Sequence, residues 1–326
     1  MAYENSDPIT NDGVDSHTHV LPSALSPSRA SDFTTCPRLF YYKTILKLSS
    51  PPTAATLKGN LVHAVIERLY DREPDQRTLT NAYSLIDIEW AKMRGDTLTE
   101  PEPVTDDATA ARARAAARAA ADINTIVAPG SAEETDLFNQ TRELIANWFH
   151  LEDANAADPT HTAFPDGAVA DGREIHIKGT VKGVNIHGFI DRLNSYTKPD
   201  GTTGWAICDY KTGRVPGDAW VDKSFFQLKL YAAAFTDTYG VAPDWLRLIY
   251  LKSDQRSVGI KQVPVTTIML NRTSEQLRAT WASITKSART RSWPTKTSKL
   301  CEYCYFQPQC PAWNPQLADI PDANIA

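Results

Sequence analysis

The chain has 326 residues, with 34 Lys and Arg against 39 Asp and Glu and a formal net charge of −5. That sign argues against a simple nucleic-acid binder, because phosphate backbones attract basic surfaces, and the composition excludes collagen, coiled coil and wholesale disorder. No run approaches the ~20 apolar residues of a membrane span, and residues 1–7 lack the basic start and apolar core of a secretion signal, so a cytoplasmic protein with no membrane partner is expected.

Residues 1–25 read as a disordered acidic leader, carrying Glu4, Asp7, Asp12 and Asp15 and no Lys or Arg. Residues 26–66 read as N-terminal helices. Ser28 serves as the N-cap of a periodic run through Phe33, Leu39, Phe40, Ile45 and Leu48, which Pro37 breaks. A second helix spans about 56–71, with Leu61, Val65 and Leu69 along one side. Residues 67–158 form an acidic helical insertion with nine Lys and Arg against 19 Asp and Glu, and helices are expected at about 78–93, 106–126 and 132–150. A lid, a partner surface and a solvated cap are all open readings of that segment.

Residues 159–295 change to a period of two. Glu174, His176 and Lys178 alternate with Ile175 and Ile177, Gly183 makes a turn, and 184–191 continues as a second strand. Pro199-Asp200-Gly201 is another turn before a buried strand at 204–210. A helix over 218–239, strands at 246–251 and 258–263 and a helix near 272–291 complete an α/β pattern. Residues 296–312 hold a cysteine-rich segment, and 313–326 read as a disordered tail. The parts flanking the insertion, 28–66 and 159–310, hold 25 Lys and Arg against 14 Asp and Glu, a net of +11. The whole-chain charge therefore conceals a basic framework.

The cysteines are Cys36, Cys208, Cys301, Cys304 and Cys310. Their odd number and the lack of a secretion signal argue against a disulfide framework. Cys208 lies in an apolar strand and reads as a small buried hydrophobe. The Cys-x2-Cys-x5-Cys run at 301–310 could bind zinc or an iron–sulfur cluster with a fourth thiolate, and spacing alone does not choose between them.

The chemistry-bearing stretch is Gly188-Phe189-Ile190-Asp191-Arg192, followed by Asp209-Tyr210-Lys211-Thr212-Gly213. Asp209 and Lys211 share a strand face by the two-residue period, and two acids with a lysine can hold a divalent cation and orient water. An Asp-x-Lys alone is a weak signal. It is preceded by Gly59-Asn60-Leu61-Val62-His63 and followed by Gln227 and Tyr231, at i and i+4 on a helix.

In this order, the Gly-x3-His, Gly-x-x-Asp, Asp-Tyr-Lys-Thr-Gly and Gln-x3-Tyr motifs resemble the RecB-like branch of the PD-(D/E)XK nuclease superfamily. The opening Leu25-Ser26-Pro27-Ser28-Arg29 and Cys36-Pro37-Arg38-Leu39-Phe40-Tyr41 add to the resemblance, which covers about residues 25–312. It implies a restriction-endonuclease-like α/β core, a central mixed sheet flanked by helices, with the helical segment inserted and 159–295 as the nuclease core. It further implies Mg²⁺ or Mn²⁺ on His63, Asp191 and Asp209, with Lys211 beside the nucleophilic water and scissile phosphate. Glu174 lies where many relatives carry a Glu, and Gln227 and Tyr231 support the active site and the nucleic acid. Cys36 with Cys301, Cys304 and Cys310 matches the arrangement of iron–sulfur members, favouring a [4Fe–4S] cluster over structural Zn²⁺.

Phosphodiester hydrolysis needs a nucleophile at neutral pH and neutralisation of charge on the phosphate, both of which divalent cations supply. The implied activity is a DNA exonuclease acting at ends or on single strands in repair or recombination. The alternatives are a CRISPR-adaptation exonuclease that trims spacer precursors and a non-catalytic Fe–S or Zn DNA-binding module. The chain has no Gly-x4-Gly-Lys-[Ser/Thr] phosphate loop, so any ATP-driven unwinding falls to a helicase partner; an integrase is the partner expected in the CRISPR setting.

Overall fold

The structure, a computed structural model, describes residues 20–96, 121–156 and 158–317. Most of the expected leader (1–19), residues 106–120 of the expected Ala/Arg-rich helix and the end of the tail (318–326) lie outside the described residues. No helix among the described residues is long and apolar enough to cross a membrane.

Helix α1 (Pro27–Thr35) is capped by Ser26, whose hydroxyl accepts from the Arg29 N–H at 3.3 Å. The cap is thus two residues earlier than Ser28, because Pro27 suits the first helical position, where its missing N–H costs nothing. Pro37 likewise opens a new helix, α2 (Pro37–Phe40), which widens into a π-turn over Tyr41–Ile45. Threonine and serine caps start α3 (Ala54–Leu69), α4 (Leu79–Met93) and α5 (Ala132–Leu151).

Strands β1 (Thr162–Ala163) and β2 (Val169–Ala170) form a small separate ladder. The main sheet has the order β3-β4-β5-β6-β7. Strands β3 (Arg173–Val181) and β4 (Val184–Thr197) are joined by Lys182 and Gly183, both at positive φ (51° and 76°), the backbone of a tight hairpin turn. Strand β5 (Thr203–Lys211) runs antiparallel to β4 and parallel to β6 (Trp245–Tyr250). The crossover between β5 and β6 consists of α6 (Asp218–Ser224) and α7 (Phe226–Tyr239), which break at the buried Phe225 where one continuous helix was expected. Strand β7 (Ile260–Pro264) starts later than expected because Arg256–Gly259 wind one helical turn, with Gly259 too close to Leu151 to admit a Cβ. Helix α8 (Thr267–Thr290) closes the architecture.

Each face of the sheet has its own core. On one face Ile177, Ile186, Ile190, Leu193 and Ile207 pack with Leu228, Ala234 and Phe235 of α7 and Leu277 and Ile284 of α8. On the other, Cys208, Tyr210 and Ile249 pack with Leu61 and Val65 of α3, Ile86 and Trp90 of α4, and Ile145 and Trp148 of α5. Cys208 is the buried apolar side chain its strand context suggested. The acidic helical segment therefore covers one face of the sheet together with α3. The result is the mixed sheet flanked by helices expected of a restriction-endonuclease-like fold.

Candidate active site

The sheet divides at one point. From Arg192↔Cys208 to Thr197↔Thr203, β4 pairs with β5. Beyond that point β4 pairs with β3, while Asp209, Tyr210 and Lys211 of β5 pair with β6. The two strands splay into a fork, and Asp191, Asp209 and Lys211 stand in its mouth. Part of the lost ladder is replaced by a side chain, since the Tyr210 N–H donates to Asp191 Oδ2 at 3.1 Å. Past the fork, the free edge of β4 is taken up by Leu25, whose N–H donates to the Asn185 carbonyl at 2.8 Å.

Facing also switches here. Ile190 belongs to one core and Arg192 to the other, although strict alternation would place them on the same face. Opposite Asp191, Glu174 has φ 44°, a left-handed conformation costing a non-glycine residue about 1–3 kcal/mol. The distortion turns both carboxylates toward α3.

His63 on α3 completes the group. Its Nε2 lies 3.0 Å from the Tyr210 carbonyl, which can only accept, so Nε2 carries a proton and the neutral imidazole turns its Nδ1 lone pair to the site. Nδ1 is 3.4 Å from Asp191 Oδ2, and one donor atom from each of His63, Glu174 and Asp191 lies within 4.8 Å of the other two. Two facing acceptors are satisfied by a cation between them. A cavity of about 10 Å³, the room for one water-sized particle, is lined by these residues together with Glu67 and Tyr210.

Asp209, assigned to the metal from sequence, stands beside this trio and not within it. It is buried, and its Oδ2 is ion-paired with Lys211 Nζ at 2.5 Å, its one close cationic partner among the described residues. Burial and then the Asp191 charge raise its pKa to about 6. Burial, followed by the charges of Asp191, Glu67 and Asp209, raises Glu174 to about 7. Crowded, under-solvated carboxylates of this kind are what a hard dication neutralises.

Gln227 Nε2 donates to the Tyr231 hydroxyl at 3.2 Å. The Tyr231 ring packs on the β4 backbone at Gly188, where a Cβ would lie 2.5 Å from a ring carbon. The glycine of Gly-x-x-Asp is thus the seat of the tyrosine of Gln-x3-Tyr. Gly59, one turn before His63, similarly lets α3 approach the end of β5, where a Cβ would stand 3.3 Å from Thr212 Oγ1.

Two groups given no role from sequence adjoin the site. Glu67 lies four residues after His63 on α3, a spacing that could have revealed it. Arg192 is 1 % exposed, donates to both Glu152 oxygens at 2.7 and 2.9 Å and also reaches the Tyr210 hydroxyl.

A separate cavity of about 430 Å³ is lined by Cys36, Cys301, Cys304 and Cys310, with Thr53 and Thr56 at the start of α3. Backbone N–H groups of Lys296 and Ser298 donate to the sulfurs of Cys36 and Cys301, each at 3.4 Å. Burial, reinforced by Cys310, Cys301 and Cys36, raises the pKa of the Cys304 thiol. Beneath them an aromatic layer joins α1 and α2 to the C-terminal segment. Trp293 stacks on Phe40 and Tyr41, with centroids 5.6 and 5.5 Å away, and the Tyr42 hydroxyl donates to the Gln309 carbonyl at 2.5 Å.

The raised carboxyl pKa values make the metal-free site a cost to folding. Asp209 holds its proton to a higher pH folded than unfolded, so the folded chain binds more protons between about pH 4 and 6, and its contribution to stability falls as pH rises through that window. Asp209→Asn is expected to stabilise the EDTA-treated protein by roughly 3 kcal/mol at pH 8, with the gain fading toward pH 4. Urea unfolding at several pH values measures this; a variant less stable than the parent throughout would contradict it.

A family model for the PD-(D/E)XK nuclease superfamily matches residues 24–311. No curated protein matches the chain. Among solved structures, a candidate exonuclease from Eubacterium rectale is 13 % identical, with a TM-score of 0.48, covering 86 % of this chain and 87 % of that one.

Proposed function

Since the chain belongs to the PD-(D/E)XK nuclease superfamily, we propose that it is a RecB-type DNA exonuclease dependent on Mg²⁺ or Mn²⁺, acting in repair or recombination. The observation that carries this reading is the convergence of the His63, Glu174 and Asp191 donor atoms within 4.8 Å, beside the buried Asp209–Lys211 pair. The donor set fits a hard dication, with an imidazole that moves preference toward Mn²⁺. His63, Asp191, Asp209 and Glu174 would hold it. When bound, such an ion activates water and offsets charge on the phosphate.

The remaining roles belong to the chain's own groups. Lys211, about one-third exposed, can turn Nζ from Asp209 to a phosphate oxygen as a compact positive charge. The Tyr210 carbonyl fixes the His63 tautomer, and the Tyr210 N–H fixes Asp191. Tyr231, held by Gln227, braces the arm of β4 that carries Asp191.

The cavity lined by the four cysteines, with backbone donors aimed at two sulfurs, supports a [4Fe–4S] cluster on Cys36, Cys301, Cys304 and Cys310. Its role would be to tie α1 and α2 to the C-terminal segment. A helicase partner would supply any unwinding.

The test is digestion of end-labelled single- and double-stranded DNA by anaerobically purified protein with Mg²⁺ or Mn²⁺. Metal-dependent release of nucleotides from ends is expected, together with stoichiometric iron and sulfide. Binding without cleavage under both metals would overturn the nuclease reading, and colourless protein with stoichiometric zinc would overturn the cluster.

A further inference from the structure

The outer face of the β3–β4 hairpin continues directly from the metal-binding group. Along β3, Glu174, His176, Lys178 and Thr180 point outward; along β4, Asp191, Phe189, His187 and Asn185 do the same. The ladder aligns them in cross-strand ranks, each two residues, or about 6.8 Å, farther from the site. Beyond the Glu174 and Asp191 carboxylates comes His176 opposite Phe189, then Lys178 opposite His187, then Thr180 opposite Asn185.

Three properties of these ranks point the same way. Phe189 is 51 % exposed, although a large apolar ring on a strand normally seeks cover. The His176 ring lies flat against it, with centroids 4.7 Å apart and planes at 15°, and His187 stands edge-on to His176 at 6.1 Å, so the rings form one platform whose exposed end is Phe189. On the side away from the carboxylates the charge is positive. Lys178 and Arg29 act on His187, and with desolvation, the largest cause, and His176 they lower its pKa. No residue among those described supplies a packing partner for the exposed side of Phe189. An aromatic platform with cations on one side and a phosphate-cleaving centre one rank away on the other suits unpaired bases, which stack on π-faces without regard to sequence. In a duplex those faces are already occupied by neighbouring bases.

We propose that the Phe189–His176 pair is a stacking platform for single-stranded DNA, seating the base next to the scissile phosphate while Lys178 and Arg29 follow the backbone. The inference rests on the nuclease reading and adds to it the strandedness of the bound segment.

The experiment measures binding to the full-length protein in EDTA, where no cutting occurs, by anisotropy of a labelled oligo(dT) strand and of a blunt duplex. Phe189→Ala is expected to weaken oligo(dT) binding on the order of 10- to 100-fold and to change duplex binding less than about twofold, while Phe189→Trp binds oligo(dT) like the parent. Quenching of a 2-aminopurine base placed in the strand should be present in the parent and in Phe189→Trp and lost in Phe189→Ala. Unchanged oligo(dT) affinity in Phe189→Ala would overturn the proposal, as would equal losses on both DNAs. Because this readout involves no cleavage, a parent that binds oligo(dT) in this way and cuts nothing would refute the nuclease reading and leave the platform standing.

Discussion

Replacing Lys211 with alanine is expected to lower turnover on the order of 10²- to 10³-fold while Mn²⁺ binding persists. Lys211 is the last residue of β5, with Nζ 2.5 Å from Asp209 Oδ2 and a side chain 32 % exposed, so it is anchored at the fork yet reaches solvent. Of the groups that would hold the ion, His63 and Asp191 are anchored by Tyr210, and Asp209 alone is paired with the lysine. Removing the ammonium should therefore spare the binding site and delete a charge aimed at the phosphate. Lys211→Arg should rescue little, since a planar fork pairs bidentately with the Asp209 carboxylate and is held there, where a lysine's point charge can turn to the phosphate. Calorimetric titration with Mn²⁺ alongside single-turnover cleavage separates the two effects. Undiminished turnover would remove Lys211 from the chemistry, and parallel loss of Mn²⁺ binding would make its role structural.

The second large effect is on stability. Glu152→Gln is expected to cost roughly 3–5 kcal/mol, because it leaves the Arg192 guanidinium buried without its counter-charge. Both side chains are nearly inaccessible, at 3 % and 1 % exposure. Burial alone would raise the Glu152 pKa, but the adjoining Arg192 overrides it and holds the carboxyl below its usual range. The pair ties the end of α5 to the strand that carries Asp191, so loosening it should also relax the fork. A double variant, Glu152→Leu with Arg192→Met, should recover much of the stability, since neither charge is then stranded. Urea denaturation of the three variants decides the matter; a Glu152→Gln protein within 1 kcal/mol of the parent would show the pair to be dispensable.

Much of the site was legible because its residues lie in short, patterned stretches. The period-two run before Gly183, the hairpin turn and the Asp-x-Lys at a strand end all follow from local backbone rules, and the fork places them together. What escaped the sequence reading depends on tertiary context. Arg192 follows Asp191 and looks like one more strand-end charge, but the switch in facing between Ile190 and Arg192 buries it. Period-two reasoning cannot foresee that switch, because it arises where β4 leaves β5. Glu152 closes an acidic helix and has the sequence character of a solvated residue. The break at Phe225 is set by burial of that ring against the sheet, with no glycine or proline to announce it. Ser26 could have been found, since a serine followed by proline is a better helix start than a serine two residues farther on.

The aromatic layer around Trp293 has a consequence for the order of assembly. Phe33, Phe40 and Tyr41 complete their packing on a ring more than 250 positions later in the chain, and Tyr42 does so on Phe306 and Gln309. Contacts of such separation form late, after the loop between them has been closed by the sheet and its helices. The N-terminal helices and the cysteine segment should then behave as one cooperative unit, docking last and opening first, and amide exchange should report them together even though they lie at opposite ends of the described chain.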